Sequence, residues 1–276
     1  VASEDEFGDP NSPNTVPQPA NNIRPLIEKN QMVMTAAELK STYLFGVDLT
    51  DDNGNSYSED ALNGQIRSAM YWLQKEIPGL QLFPTTLNEK HDYYITDYVS
   101  YNFIKLFRYP VQSVTNVQIQ FPLATQLLTF DPTWYRTESV GAQVQLVPTA
   151  GTFSSILLSM GGNFLPLFYQ GLQNVPTIWN IQYTAGFTKN NIPDDIKNII
   201  GLKASLFPLT VAGDLIAGAG IASKSIGIDG LSQSIVTTAS AENTGYTANV
   251  KQREKEIASM LKYLKEFYIG LQMQVC

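Results

Sequence analysis

Apolar residues recur at Leu62, Ile66, Ala69, Met70, Leu73 and Ile77. Steps of three and four return to one side of a helix. Ser58 stands where an N-cap is needed, Glu59 and Asp60 suit the positive end of the dipole, and Pro78-Gly79 closes the run. The spacing predicts an amphipathic helix of about five turns. The last segment carries a second stripe: Val250, Ile257, Leu261, Leu264, Tyr268 and Leu271, widened by Met260, Tyr263 and Phe267. Lys262 and Glu266 form an i,i+4 pair on it, and Gly270 suits a C-cap. Two shorter signals frame other helices. Thr35-Ala-Ala-Glu38 reads as a capping box ahead of Leu39 and Tyr43, ending near Gly46. Pro193-Asp194-Asp195 reads as a helix start, followed by Ile196, Ile199, Ile200, Ala204 and Phe207. Pro208 is expected to disturb or end that helix. The Ala- and Gly-rich stretch after it can continue as a helix to Ile216 and then turn through Gly218 and Gly220.

Between residues 111 and 187 the period changes to two. Val114, Val117, Ile119 and Phe121 alternate with one slip. Val140, Ala142, Val144 and Leu146 alternate, and so do Trp179, Ile181 and Tyr183. These are short strands. The nearly uncharged segment between them, TAGTFSSILLSMGGNFLPLFYQGLQNVP, suits a hairpin or a long β insertion buried against a partner. Residues 91–107 leave helix and strand both open, with helix preferred by length. Residues 224–236 suit a hairpin or a strapping loop. Residues 1–31 are acidic, then rich in Pro and Asn, and show no apolar period. They read as a loose tail or as an extended arm that orders on a neighbour. The expected fold is α+β: a helical core of four or more helices, an inserted antiparallel β region and an extended N-terminal arm. The expected parts are 1–31 (arm), 32–110 (helical), 111–187 (β-rich) and 188–276 (helical, with the terminal helix).

Composition narrows the function. The 276 residues are 43% hydrophobic but only 16% charged, against about a quarter charged in ordinary soluble domains. Such a chain hides much of its surface in an assembly or relies on neutral polar residues. The net charge of -7 argues against strong sequence-independent nucleic-acid binding. No apolar run is long enough to predict a membrane span. The first ten residues lack the basic and apolar regions of a signal peptide. Cys276 is the one cysteine, so neither an internal disulfide nor a thiolate metal site is expected.

Catalytic chemistry is expected to be absent. His91 is the one histidine, no nucleophile elbow accompanies it, and a structural role is the better reading. Residues 49–60 resemble a calcium loop in part, with Asp51, Asn53, Gly54 and Asp60 in register. Leu49 stands where the first oxygen ligand belongs, so an Asn53-Gly54 turn is preferred. Gly218-Ala-Gly220 lacks the remainder of a phosphate-binding motif, and no cofactor is expected. Lys251, Arg253, Lys255, Lys262 and Lys265 on the last helix, interleaved with Glu254, Glu256 and Glu266, read as a solvated face, the alternative being a weakly positive surface that faces DNA or an acidic partner.

Two segments resemble a known pattern. One is Ala61-Leu-Asn-Gly-Gln-Ile-Arg-Ser-Ala-Met-Tyr-Trp-Leu within the first helical region. The other is Ile181-Gln-Tyr-Thr-Ala-Gly-Phe followed by Ile192-Pro-Asp-Asp-Ile-Lys-Asn-Ile-Ile-Gly-Leu-Lys-Ala. A strand ending in Tyr-x-Ala-Gly-aromatic, a short loop with Pro, and a helix opening on acids is similar to the head–tail connector proteins of tailed bacteriophages, also called adaptor or head-completion proteins. The resemblance covers mainly 32–110 and 175–271. It implies a virion protein of the neck, assembled in the host cytoplasm into a homo-oligomeric ring, usually of twelve subunits. Such a ring docks on the portal, extends the channel for DNA ejection and carries tail or nozzle proteins. It implies at most transient, non-specific contact with packaged DNA, no membrane and no enzyme activity.

The candidate packing or assembly residues are Leu62, Ile66, Leu73, Tyr183, Gly186, Pro193, Val250, Ile257, Leu261, Leu264 and Leu271. Two other readings compete: another neck, tail-terminator or minor capsid protein, and a receptor- or carbohydrate-binding β module built on the Tyr- and Trp-containing strands.

Overall fold

The structure is a computed structural model that describes residues 31–51, 53–96, 103–120, 126–147, 173–188, 191–217, 223–228, 231–236 and 246–268. These residues form an α+β fold with four helices and an antiparallel β region inserted in sequence between the second and third. The arm expected over residues 1–31 lies almost wholly outside them, as do Phe121, most of the uncharged segment before Asn174, Gly218, Gly220, Gly270 and Leu271.

The chain divides into two compact units. One comprises the described residues of Pro78–Asn190 and is built of strands. The other takes those of Ile27–Ile77 and Asn191–Gly270 and is mainly helical.

In the helical unit, α1 (Ala36–Thr42) starts with the expected capping box. Thr35 Oγ1 accepts from Glu38 N at 3.1 Å, and Glu38 Oε2 accepts from Thr35 N at 2.7 Å. The loop to the next helix turns at Gly54, with Asp51 accepting from Asn55 Nδ2, from Asn55 N and from Asn53 N. These bonds hold the Asp51 carboxyl below its ordinary range and account for the turn. Helix α2 (Glu59–Glu76) is capped by Ser58 and buries Leu62, Ile66, Ala69, Met70 and Leu73.

Helix α3 (Asp194–Ala217) contains Pro208, which does not end it, and continues as far as the Ala- and Gly-rich stretch was expected to carry it. Proline removes one backbone bond. Yet Leu209 and Ala212 beyond it are as buried as Ile196, Ile199 and Ile200 before it, so tertiary packing carries the helix past the break. Strands β8 (Ser223–Ile228) and β9 (Leu231–Val236) form an antiparallel hairpin, one of the two forms expected. Helix α4 (Thr247–Tyr268) ends the described chain.

In the β unit, β1 (Thr85–Tyr94), β3 (Val111–Gln120), β4 (Gln126–Thr129) and β7 (Asn174–Ala185) form one antiparallel sheet in the order β1-β7-β3-β4. A smaller sheet is ordered β2-β6-β5, from β2 (Phe103–Lys105), β5 (Tyr135–Glu138) and β6 (Gln143–Leu146). The slip in the alternation of β3 is a real irregularity. Its pairing with β7 shifts between Val111 and Ser113 and again between Val114 and Asn116, which leaves Val114 half-buried while Val117 and Ile119 are fully buried.

The helix preferred over residues 91–107 is corrected. His91–Tyr94 belong to β1 and Phe103–Lys105 to β2, with only Ile95 and Thr96 helical among the described residues. Length misled here. The apolar density of that segment comes from residues facing the β core, such as Tyr93 and Ile104.

Candidate functional site

The strand-to-helix signature acquires a physical account. Tyr183 lies on β7, which is bonded to β1 on one side and β3 on the other, and is fully buried. Its hydroxyl donates to Glu89 Oε1 at 2.5 Å and accepts from Arg108 N at 3.1 Å. Glu89 Oε2 accepts from Phe107 N and meets His91 Nε2, each at 3.1 Å. The His91 ring stacks on Phe107 with centroids 4.5 Å apart. The Arg108 guanidinium is buried and reaches Gln81 Oε1 at 3.5 Å.

One carboxylate therefore ties β1, β7 and the segment after β2 together. Burial first, then the Glu89 charge, pushes the Tyr183 hydroxyl far above the usual phenol range, so it remains a donor. Burial lowers the Arg108 guanidinium, against the raising effect of Tyr183 and Glu89. A buried carboxylate with several donors and a buried cation nearby is a stabilising network when complete.

Gly186 follows two residues after Ala185's neighbour Thr184, at a φ of 120°. A Cβ there would sit 2.1 Å from the Phe83 carbonyl oxygen. Its N–H donates to Pro110 O at 2.8 Å and its carbonyl accepts from Gln112 Nε2 at 2.7 Å. Only glycine satisfies that conformation and that approach together. Pro193 is half-buried immediately before α3, and its carbonyl accepts from Lys197 N at 3.1 Å. The Tyr-x-Ala-Gly strand and the Pro-Asp-Asp start are thus a core tyrosine, a tight chain passage and a helix entry.

On the helices, Leu62, Ile66 and Leu73 are buried on α2. On α4, Ile257, Leu264 and Tyr268 are buried, while Val250 and Leu261 are half-buried and Leu271 lies outside the described residues. The deep positions of α4 are thus Ile257 and Leu264 rather than Leu261. The terminal basic residues do not all form a solvated face. Arg253 donates to Ser205 Oγ and, at 2.6 Å, to Tyr43 O. Lys265 Nζ donates to Glu76 Oε2 at 2.6 Å.

Sequence reasoning missed Arg253 as an anchor. The available signal was its spacing, since it falls in the stripe between Val250 and Ile257. Lys203 lies 5.0 Å from the centroid of the Trp72 ring, a cation–π contact between α3 and α2. A Cβ at Gly201 would meet the Tyr43 ring at 2.3 Å, so α1 reaches α3 because that position carries no side chain.

The aromatics of the strands lie inward. Tyr93, Tyr109, Trp179 and Tyr183 are fully buried, and Tyr94 is the one exposed aromatic among the described strand residues. Among the described residues, no cluster of His, Cys, Asp and Glu has the make-up of a metal site, and no helix is long and apolar enough to cross a membrane. Most of the exposed large apolar side chains are on the helical unit, Phe45, Tyr71, Phe207, Leu215, Tyr263 and Phe267, with Tyr94 and Leu128 on the β unit.

No family model and no curated protein matches this chain. Among solved structures, it is similar to a chain in the neck of an empty gene transfer agent particle computed with C6 symmetry, at 14% identity and a TM-score of 0.37, covering 63% of this chain and 77% of that one. It is similar to a chain in the virion of a native gene transfer agent particle at 15% identity and a TM-score of 0.39, with the same coverages. A chain in the neck of the native particle computed with C12 symmetry gives 15% identity and a TM-score of 0.34, covering 54% of this chain and 70% of that one.

Proposed function

We propose that this chain is a structural subunit of a phage-type particle, acting as a ring adaptor between portal and tail that extends the DNA channel. The order of elements carries the reading. Two helices, an antiparallel β excursion, a strand ending in Tyr183-Thr-Ala-Gly186, a helix opening at Pro193-Asp194-Asp195 and a terminal helix follow one another. The strand, the Pro-containing loop and the acid-opened helix are the pattern that carries the connector resemblance, and the flanking helices lie in the segments it covers. The exposed apolar side chains of the helical unit support it, because a ring subunit needs side faces that are covered only on assembly. The low charged fraction fits the same demand.

In this reading the partners are further copies of the chain, the portal protein, and tail or nozzle proteins, and DNA passes without tight binding. A receptor- or carbohydrate-binding module is less well supported, because Trp179 and the large tyrosines of the sheet are inside it. The test is co-assembly of the full chain with purified portal rings, followed by electron microscopy. A ring of this chain stacked on the portal face is the expected result. A chain that ignores portal rings and is found on the capsid shell or at the tail tip overturns the reading.

A further inference from the structure

Two exposed apolar strips of the helical unit lie toward opposite ends of its α3–α4 pair. Contacts set the register of that pair. Arg253 meets Ser205, and Asn198 Nδ2 lies 3.7 Å from Met260 Sδ. Seven residues forward on α4 thus correspond to seven residues back on α3, so the helices are antiparallel. Continued along the pair, Val211 is level with the first residue of α4, Thr247, and Phe267 is level with the entry to α3.

The first strip is Phe207, Val211 and Leu215, at i, i+4 and i+8 on one line of α3. Phe207 is 53% exposed and Leu215 42%. The second is Tyr263 and Phe267, at i and i+4 on α4, exposed by 60% and 43% with their rings stacked 6.5 Å apart. At the helical rise per residue the strips are about 30 Å apart along the pair.

Charge narrows what each strip can meet. Beside the aromatic strip, Lys262 faces Glu266 at 3.9 Å and Lys265 binds Glu76 at 2.6 Å. These charges are balanced within the subunit, so the strip presents neutral aromatic surface. The α3 strip has one acid beside it, Asp214, and no base between Ala204 and Ala217. On α4 the exposed Lys251 is level with Phe207, so the α3 strip carries one base and one acid nearby, not the cluster of cations that a polyanion would need.

We propose that the two strips are the two halves of one contact between successive copies of this chain: Phe207, Val211 and Leu215 of one copy receive Tyr263 and Phe267 of the next. Two unlike apolar patches on one body are what a head-to-tail contact requires, whereas a two-fold contact uses one patch twice. Size points the same way. Two or three side chains, at about 150–250 Å² for each aromatic, fall short of the roughly 800 Å² per partner of a stable pair. One such contact therefore gives a pair that forms only at the high end of a concentration series, whereas a closed ring, in which every copy makes the contact twice, holds at lower concentration. This deepens the adaptor reading, on which its setting rests, but its test needs no portal.

Sedimentation of the full chain over a concentration series provides that test. The wild-type chain should associate reversibly beyond two copies. Phe207→Glu/Leu215→Glu and Tyr263→Glu/Phe267→Glu alter exposed positions, and circular dichroism verifies that both variants stay folded. Each variant alone should associate at least tenfold more weakly. Mixed in equal amounts, each retains the strip the other lacks, so the mixture should form pairs and stop there. A variant that self-associates like wild type, a mixture that forms no pairs, or a wild-type chain that stays monomeric overturns the inference. Should the variants still build rings on portal, the adaptor reading stands and this contact falls.

Discussion

The two units solve the same packing problem differently. The β unit keeps ionic and polar groups inside: Glu89 and Arg108 are buried, and Glu89 binds Tyr183, His91 and Phe107 N. The helical unit buries only neutral polar side chains, Gln74 and Ser205, and keeps its charged groups half-buried: Lys265 with Glu76, and Arg253 on Ser205 and Tyr43. A helix stripe specifies its own register through repeated apolar steps. In the sheet a one-residue slip inverts every side chain, and the pairings of β7 with β1 and β3 already contain register shifts. A buried hydrogen-bonded carboxylate that reaches three segments penalises such slips. The comparison teaches that specificity in the sheet is carried by a few polar bonds and in the helices by area.

The largest expected effect falls on the β unit. Gly186→Ala should cost on the order of 4 kcal/mol, because the new Cβ meets Phe83 O at 2.1 Å with φ at 120°. Thermal unfolding of the β unit measures it, and a neutral result would remove the tight passage from the account. Next, Glu89→Ala should cost about 3–5 kcal/mol, since it leaves buried donors and Arg108 without the carboxylate. Glu89→Gln, which keeps an acceptor, should cost about 1–2 kcal/mol. Equal losses in the two variants would mean that the site matters for volume and not for hydrogen bonding.

In the helical unit, Leu264→Ala should cost about 2–4 kcal/mol, and Leu261→Ala, from a half-buried position, about 1 kcal/mol. Chemical denaturation of the pair would restore Leu261 as the centre of the stripe if their order reversed. A smaller effect concerns alkaline pH. Burial first, then Asp195 and Tyr263, raise the Tyr268 hydroxyl to about 12. A phenol raised on folding contributes stability that is fully present below its unfolded value of about 10 and is lost as pH rises through the folded value. Stability should therefore fall between about pH 10 and 12, and Tyr268→Phe should flatten that part of the profile; an unchanged slope assigns the loss to other groups. Smallest of all, Lys262→Ala should stay within about 0.5 kcal/mol, since its 3.9 Å pair with Glu266 is exposed. A larger loss in melting would show that this face is covered in the subunit itself.

The sequence by itself determined the elements whose signals are local. The capping box at Thr35 and Glu38, the Ser58 cap, the six-residue stripe of α2 and the Asn53-Gly54 turn are decided by neighbours within a few residues, and all stand in the structure. The alternations at Val144 and Leu146 and at Trp179, Ile181 and Tyr183 were equally legible, because a sheet face has its own period. Tertiary structure alone decided the rest. His91–Tyr94 became a strand because β7 offered a bonding edge, and α3 ran past Pro208 because both sides of the break are buried. Glu89 and Arg108 carry no local mark of being interior, and Arg253 shows only its place in the α4 stripe, since a charged residue is drawn inward only where distant chain supplies its partners. Tyr183 lies 94 positions from Glu89, and Tyr43 lies 210 positions from Arg253. A local pattern reports the periodicity of one element, whereas a buried polar bond is settled only when separate elements meet.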